Sequence, residues 1–402
     1  MPQFNYEARD RRGKIHKGVL EAASKQVLAT KLKESGLRLL QAEQKKESIW
    51  SKEIYIGNPV KPIDFIVFLR QFAILIRSGV SIVEGTSILG AQTESKVLKK
   101  ALAQIEVELR EGSSLSSACK KHSHIFSPLF VNMLMAGETS GTMDTTLERL
   151  ADYYDKQYRT RKKLQSALTY PIVIGIITLF IVTFLLTYVI PTFEDLFVQF
   201  DSELPFITSA IIAISDWLMN NILFVLLIIV LLFVIFLLIF YNKSTRIYID
   251  YAIMKMPLIG KLYQKALIAR FTRTFGSLLE NSVPILESLI LSERIVGNLI
   301  VSDVLQKARR SLETGNSLTE PMKKHWIIPP LVIQMMAIGE KTGSLDYMLQ
   351  KAADFYEAEV ETATDQFKAM LEPMMIVFLA VIVGTIVLAI VVPMFTIFNT
   401  IQ

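Results

Sequence analysis

The chain has 402 residues, one cysteine, 43 Lys and Arg against 38 Asp and Glu, and a charged fraction of 20%, below the about 25% of an ordinary soluble domain. The deficit lies in three stretches that hold no Asp, Glu, Lys or Arg: residues 164–193, 217–242 and 373–402. Each exceeds the roughly 20 residues a spanning helix needs, which excludes both a purely cytosolic enzyme and a many-span transporter.

In chain order, the polar residues 1–10 lead into Arg11 and Arg12, so no secretory signal peptide is expected. Alternation at Phe4, Tyr6 and Ala8 predicts a strand, Asp10 and Gly13 a turn, and residues 14–20 a returning strand with an irregularity at Gly18. Ser24 is placed to cap a helix running to about Ser35, with Val27, Leu28 and Leu32 inward; Gly36 ends it, and residues 37–41 add a third strand. Residues 1–46 thus form a small α+β module, followed by a polar linker, 47–62, with Gly57, Asn58, Pro59 and Pro62.

Beyond the linker the chain repeats itself. Phe68-Leu-Arg-Gln-Phe72 matches Phe271-Thr-Arg-Thr-Phe275 at an offset of 203, and Lys120-Lys121-His122 matches Lys323-Lys324-His325. After one deletion the offset is 202. Gly137-Glu138-Thr-Ser-Gly141 then falls on Gly339-Glu340-Lys-Thr-Gly343, Asp152-Tyr-Tyr154 on Asp354-Phe-Tyr356, Pro171 on Pro373 and Pro191 on Pro393. Each repeat reads as a helical bundle (63–168 and 243–371) followed by its own span (169–192 and 372–397), with a return span at 217–242 between them. No strong breaker stands between Asp144 and Pro171, so one helix runs from bundle into bilayer, bent at Pro171. The fold class is mainly α: two repeated cytoplasmic bundles, three transmembrane helices and the N-terminal module.

Charge sets the expected topology. Segment 193–216 holds Glu194, Asp195, Asp201, Glu203 and Asp216 and no basic residue, whereas Arg159, Arg161, Lys162 and Lys163 precede the first span and Lys243 and Arg246 follow the second. Basic flanks stay cytoplasmic, which puts both bundles inside, the acidic loop outside and, by parity, the C-terminus outside. With those five acids outside, the remaining balance is +10, suited to anionic lipid or an acidic partner. No nucleic-acid-binding motif accompanies it.

Motifs that carry chemistry are few. There is no phosphate-cradling Gly-x-x-x-x-Gly-Lys loop, no His-Glu-x-x-His and no Cys-x-x-Cys, and His16, His122, His124 and His325 are dispersed. Cys119 reads as a small helix-face residue, with a dyad to His122 the alternative; Glu372 reads as an interfacial carboxylate. No catalytic, cofactor or metal site is expected. The doubled Gly-Glu-x-x-Gly has two readings. In one, Gly137 and Gly339 end a helix with positive φ, Gly141 and Gly343 permit a second turn, and Asp144 and Asp346 open the next helix. In the other, an exposed loop presents Glu138 and Glu340 to a partner protein. Glu84 and Glu287, each just after a turn, are exposed helix residues or further partner contacts, and Ala380 with Gly384 is a small-x-x-x-small pair for helix packing.

These motifs resemble those of the inner-membrane platform proteins of type IV pilus and type II secretion machines (the PilC-like, secretion protein F family). The resemblance rests on Phe4-x-Tyr6-x-Ala8-x-Asp10-x-x-Gly13-x-x-x-x-Gly18, both Phe-x-Arg-x-Phe starts, both Gly-Glu-x-x-Gly elements and the Lys-Lys-His-x-Ile-x-Pro-Pro run from Lys323. It implies a non-enzymatic oligomer in the bacterial inner membrane that contacts cytoplasmic extension and retraction ATPases, pilin subunits and inner-membrane alignment proteins. Ser282 departs from the pattern where repeat 1 has Gly79, and Asn281 is expected to take over the turn.

Overall fold

The computed structural model describes residues 3–9, 15–21, 25, 28–29, 33, 36–44, 59–189, 191–192, 206–241, 243–257 and 259–400. It divides into two compact units, Met1–Pro59 and Val60–Gln402, each taken by itself.

The first unit is an antiparallel sheet of β1 (Gln3–Arg9), β2 (Ile15–Glu21) and β3 (Arg38–Gln44) in the order β2-β1-β3. Its small core joins Ala8, Leu28 and Ala42, with Tyr6, Leu37 and Leu39 against them. Gly18 is not an irregularity: it pairs in regular register with Tyr6, and the register shift falls between Glu7 and Ala8 opposite β3. A Cβ on Gly18 would lie 2.9 Å from Tyr6 Oη, so the glycine makes room for that ring. Gly36, at φ +74, supplies the left-handed turn into β3. The turn at Asp10 and Gly13, the cap at Ser24, Val27, Leu32 and Ser35, and most of the 47–62 linker lie outside the described residues.

The second unit is helical and carries both repeats. Repeat 1 comprises α1 (Pro62–Arg77), α2 (Ile82–Gln92), α3 (Lys96–Arg110), α4 (Leu115–Lys120), α5 (Pro128–Ser140) and α6 (Met143–Phe184), which ends in a π turn, Leu185–Val189. After α7 (Phe206–Asn220), α8 (Ile222–Tyr241) and α9 (Lys243–Lys255), repeat 2 runs through α10 (Ile259–Glu280), α11 (Ile285–Val296), α12 (Leu299–Glu313), α13 (Glu320–Lys323), α14 (Pro330–Thr342) and α15 (Leu345–Thr400). Serine caps start several of these helices: Ser81, Ser95 and Ser127 accept from the backbone N–H groups of Glu84, Leu98 and Phe130. Left-handed glycines at 141, 297 and 343 stop α5, α11 and α14.

The apolar stripe of α1 (Phe65, Phe68, Leu69, Phe72) packs with Phe126 and Phe130 in the core of repeat 1, and Leu278, Val283 and Leu291 of repeat 2 enter that same core. Phe271 and Phe275 occupy the corresponding stations in the core of repeat 2. The repeats therefore share apolar contact instead of standing apart on their anchors. At the turn after α10 it is Ser282 itself, not Asn281, that adopts positive φ (60°), as Gly79 does (85°) in repeat 1. Asn281 is held in place by its side-chain amide, which donates to the Ser277 carbonyl at 2.7 Å.

Two described helices are long and apolar enough to cross a membrane: Met143–Val189, through Pro171, and the Leu345–Ala389 part of α15, through Pro373. The middle segment contains α8, 20 residues long and apolar over Leu223–Ile235. The acidic segment is not all loop, because α7 occupies its C-terminal part from Phe206 onward.

Candidate functional site

Both Gly-Glu-x-x-Gly elements are the last turn of a helix, not exposed loops. Gly137 and Gly339 are helical and buried, and only Gly141 and Gly343 have positive φ, 71° in each case. The inner glycine is needed for close approach. A Cβ on Gly137 would lie 2.6 Å from Thr146 Oγ1, and one on Gly339 2.7 Å from the Leu345 Cα, so the next long helix passes directly over each. The carboxylates turn inward. Glu138 accepts hydrogen bonds from the Ser116 backbone N–H at 3.2 Å and from the Ser116 hydroxyl. Glu340 accepts from the Leu318 N–H at 2.8 Å and from the Ser317 hydroxyl at 2.7 Å. Each thus satisfies free amide donors at the start of the short segment that precedes α5 or α14, where a negative charge is favoured. Of the other expected sites, Glu84 is exposed and Glu287 half-buried, both in the first turn of their helices. Among the described residues the Ala380–Gly384 pair shows no close helix approach: Ala380 is exposed, and a Cβ on the half-buried Gly384 would touch nothing within 4 Å. The buried positions of α15 at that depth are Ile386 and Ala389.

A second doubled constellation was not singled out in the sequence. The arginine of each Phe-x-Arg-x-Phe pairs with two acids one turn apart on the repeat's long helix. Arg70 Nη2 lies 3.0 Å from Asp152 and 3.5 Å from Asp155, with the arginine side chain 46% exposed. Arg273 is 6% exposed and forks onto Glu357 through Nε and Nη2, both at 2.7 Å, while also donating to Asp354 and Gln350. Burial alone would raise the Asp354 carboxyl, but hydrogen bonds from Arg273 and Lys156 outweigh it and hold the group below the ordinary carboxylate range. The available signal was a cation set between two core phenylalanines at the same place in both repeats.

Repeat 1 covers the second triad. Lys156 of α6 reaches Asp354 at 3.0 Å and Glu357 at 3.8 Å, and Lys163 pairs with Glu361. The buried Tyr153 hydroxyl lies 3.0 Å from Thr274 Oγ1, and Arg149 donates to the Glu280 carbonyl at 2.7 Å while pairing with its carboxylate at 3.2 Å. This seam joins two long helices, each continuous from bundle to apolar segment.

Cys119 sits in the core of repeat 1 and its thiol is pushed well up, by burial first and then by Glu138 and Glu108, which suits packing and not nucleophilic attack. Among the described residues no group of three His, Cys, Asp or Glu is placed to hold a metal ion.

Two copies of one helical domain, each running on into an apolar helix and locked to the other by a polar seam, define a duplicated membrane scaffold. Residues 68–191 and 271–393 each match the family described as type II secretion system (T2SS), protein F, and residues 1–43 match the N-terminal domain of the same protein. The chain belongs to this family. A type IV pilus assembly protein PilC of Thermus thermophilus is 36% identical to it, with 100% of both chains covered. One of Myxococcus xanthus is 34% identical, covering 100% of this chain and 96% of the relative. A type II secretion system protein F of Vibrio cholerae is 29% identical over 98% of each.

Proposed function

We propose that the chain is the inner-membrane platform of a type IV pilus machine, coupling a separate hexameric cytoplasmic ATPase to insertion and removal of pilin subunits. The observation that carries this reading is the seam. Arg149, Tyr153, Lys156 and Lys163 tie α6 to α10 and α15, so a push on either bundle moves both bundles and their anchors as one body. The topology read from charge completes it: bundles 63–168 and 243–371 in the cytoplasm, spans at 169–192, 217–242 and 372–397, segment 193–216 and the C-terminus outside. The motor is another chain, and this one carries no nucleotide chemistry. We place partner contact on the outer ends of the bundles, at exposed Glu84, at Glu287, and at the two Gly-Glu-x-x-Gly corners. There Thr139 and Ser140 face solvent while Glu138 and Glu340 fix the shape from within.

The second reading is the platform of a type II secretion system, favoured by relatives that bear that name. Higher identity to two of the pilus proteins, 36% and 34% against 29% and 31% for the secretion proteins, puts the pilus first. Deleting the gene and imaging the cells decides: loss of surface fibres with normal exoprotein release supports the pilus. Normal fibres with exoproteins retained in the cell favour the secretion platform, and normal behaviour in both removes the proposal.

A further inference from the structure

The contact between the repeats runs in one direction. Arg149, Tyr153, Lys156 and Lys163, spaced by four, three and seven residues, lie along one side of α6, and this stripe seats on repeat 2. The same stations of α15, at the offset of 202, are Lys351, Phe355, Ala358 and Asp365. They make an equivalent stripe, and all four are exposed, Phe355 to 47%. The receiving face is doubled as well. Thr274 and Ser277, buried beside the seam, correspond at the offset of 203 to Gln71 and Ile74, both exposed, Ile74 to 63%. Asp354 and Glu361 correspond to the exposed Asp152 and Arg159. Each repeat thus owns one giving stripe and one receiving face, and the chain uses only the stripe of repeat 1 and the face of repeat 2.

We propose that a second copy of this chain seats the α15 stripe of its repeat 2 on the α1–α6 face of repeat 1, making between chains the contact already made within one. The occupant follows from the repeat. The surface that fits this type of face inside the chain is the stripe of the other repeat, and the unused stripe is its homologue. Phe355 takes the place of Tyr153 and lands on Gln71 and Ile74. Asp365 meets Arg159. The station of Glu280 is held by Arg77, so here the copy is not literal: Lys351 pairs with Asp144 and Glu148, the carboxylates that flank Arg77. Because the unused stripe and the unused face are different patches, the contact is head-to-tail, not two-fold. Contacts of that kind close into a ring when the rotation allows.

The test uses two differently tagged full-length copies co-expressed in membranes, one carrying Ala358→Cys and the other Asp152→Cys, treated with a short bismaleimide. These positions are the repeat equivalents of Lys156 and Asp354, so Lys156→Cys with Asp354→Cys in one chain is the control for reach; Cys119 is buried. The expected result is a crosslinked species bearing both tags. Arg159→Glu in the second copy should lower its yield about fivefold, and Asp365→Arg in the first should restore it, the scale of one exposed ion pair turned to repulsion. A control that crosslinks while the mixed copies give no two-tag species overturns the proposal. So does a product formed only between two Ala358→Cys copies, which would mark a two-fold contact.

Discussion

Arg70 and Arg273 stand at the same station of the two repeats and each pairs with two carboxylates on its own long helix, yet the first side chain is 46% exposed and the second 6%. The difference is made by repeat 1, whose α6 lays Lys156 and Tyr153 over the Arg273 triad. One motif is therefore a surface ion pair in one bundle and a buried joint in the other.

Arg273→Ala leaves Asp354 and Glu357 without their principal partner at a half-covered joint, and should cost about 2–3 kcal/mol. Arg70→Ala removes a screened surface pair and should cost below about 1 kcal/mol. Thermal unfolding of the two variants in the same detergent checks the contrast; equal losses would show that the triad is not a joint.

The joint should loosen in acid. Asp354 is held below its ordinary value of 3.8 by Arg273 and Lys156, against the burial that alone would raise it. A depressed carboxyl contributes stability that is whole above the unfolded value and disappears as pH falls through the folded one. Melting followed from pH ~6 to ~3 should fall more steeply for the native chain than for Asp354→Asn, which lacks that titration.

The inner glycines of the two corners differ in what they face. At Gly137 the nearest obstructing atom is the Thr146 hydroxyl oxygen, which another rotamer would move, with the Thr146 Cβ behind it at 2.9 Å; at Gly339 the nearest are backbone atoms of Leu345. Overpacking of this kind costs about 1–3 kcal/mol. Gly339→Ala should fall at the upper end and Gly137→Ala at the lower, as read by melting temperature and by the purified yield of folded protein.

Ser282→Gly should stabilise the chain. Ser282 is held at φ 60° where repeat 1 has Gly79 at 85°, and a left-handed residue with a Cβ carries about 1–2 kcal/mol of strain. The glycine gives back part of this through the freer unfolded chain, so a net gain of about 0.5–1 kcal/mol is expected in thermal melts. A loss would mean that the hydroxyl does something beyond filling the turn.

Much of the architecture was legible because duplication shows directly as matched residues, and apolar runs of this length have few uses. The helical bundles followed from Phe68, Phe72, Leu75 and Ile76 at three- and four-residue spacing, and the module at the N-terminus from alternation at Phe4, Tyr6 and Ala8. What periodicity does not convey is which way a polar side chain turns. Glu138 and Glu340 carry the pattern of an exposed corner, but their partners, Ser116 and the 317–318 pair, lie 22 or 23 residues upstream on a segment with no local tie to them. Gly137 and Gly141 look alike in the sequence, and only the crossing of the next helix separates close approach from positive φ. The seam was hidden for a similar reason: Tyr153 meets Thr274 across 121 residues, and each belongs to a different copy of the same pattern.

The central claim, that both bundles and their anchors move as one body under a separate motor, is open to a distance measurement. Val107→Cys on α3 and Lys307→Cys on α12 place spin labels on exposed positions of the two repeats, and the buried Cys119 stays unlabelled. Their separation is read by pulsed electron resonance in nanodiscs with the ATPase bound, once with a non-hydrolysable ATP analogue and once with ADP. The account predicts a single distance that does not move between the two nucleotide states. A separation that changes with the nucleotide would contradict it, because the bundles would then be working against each other and not together.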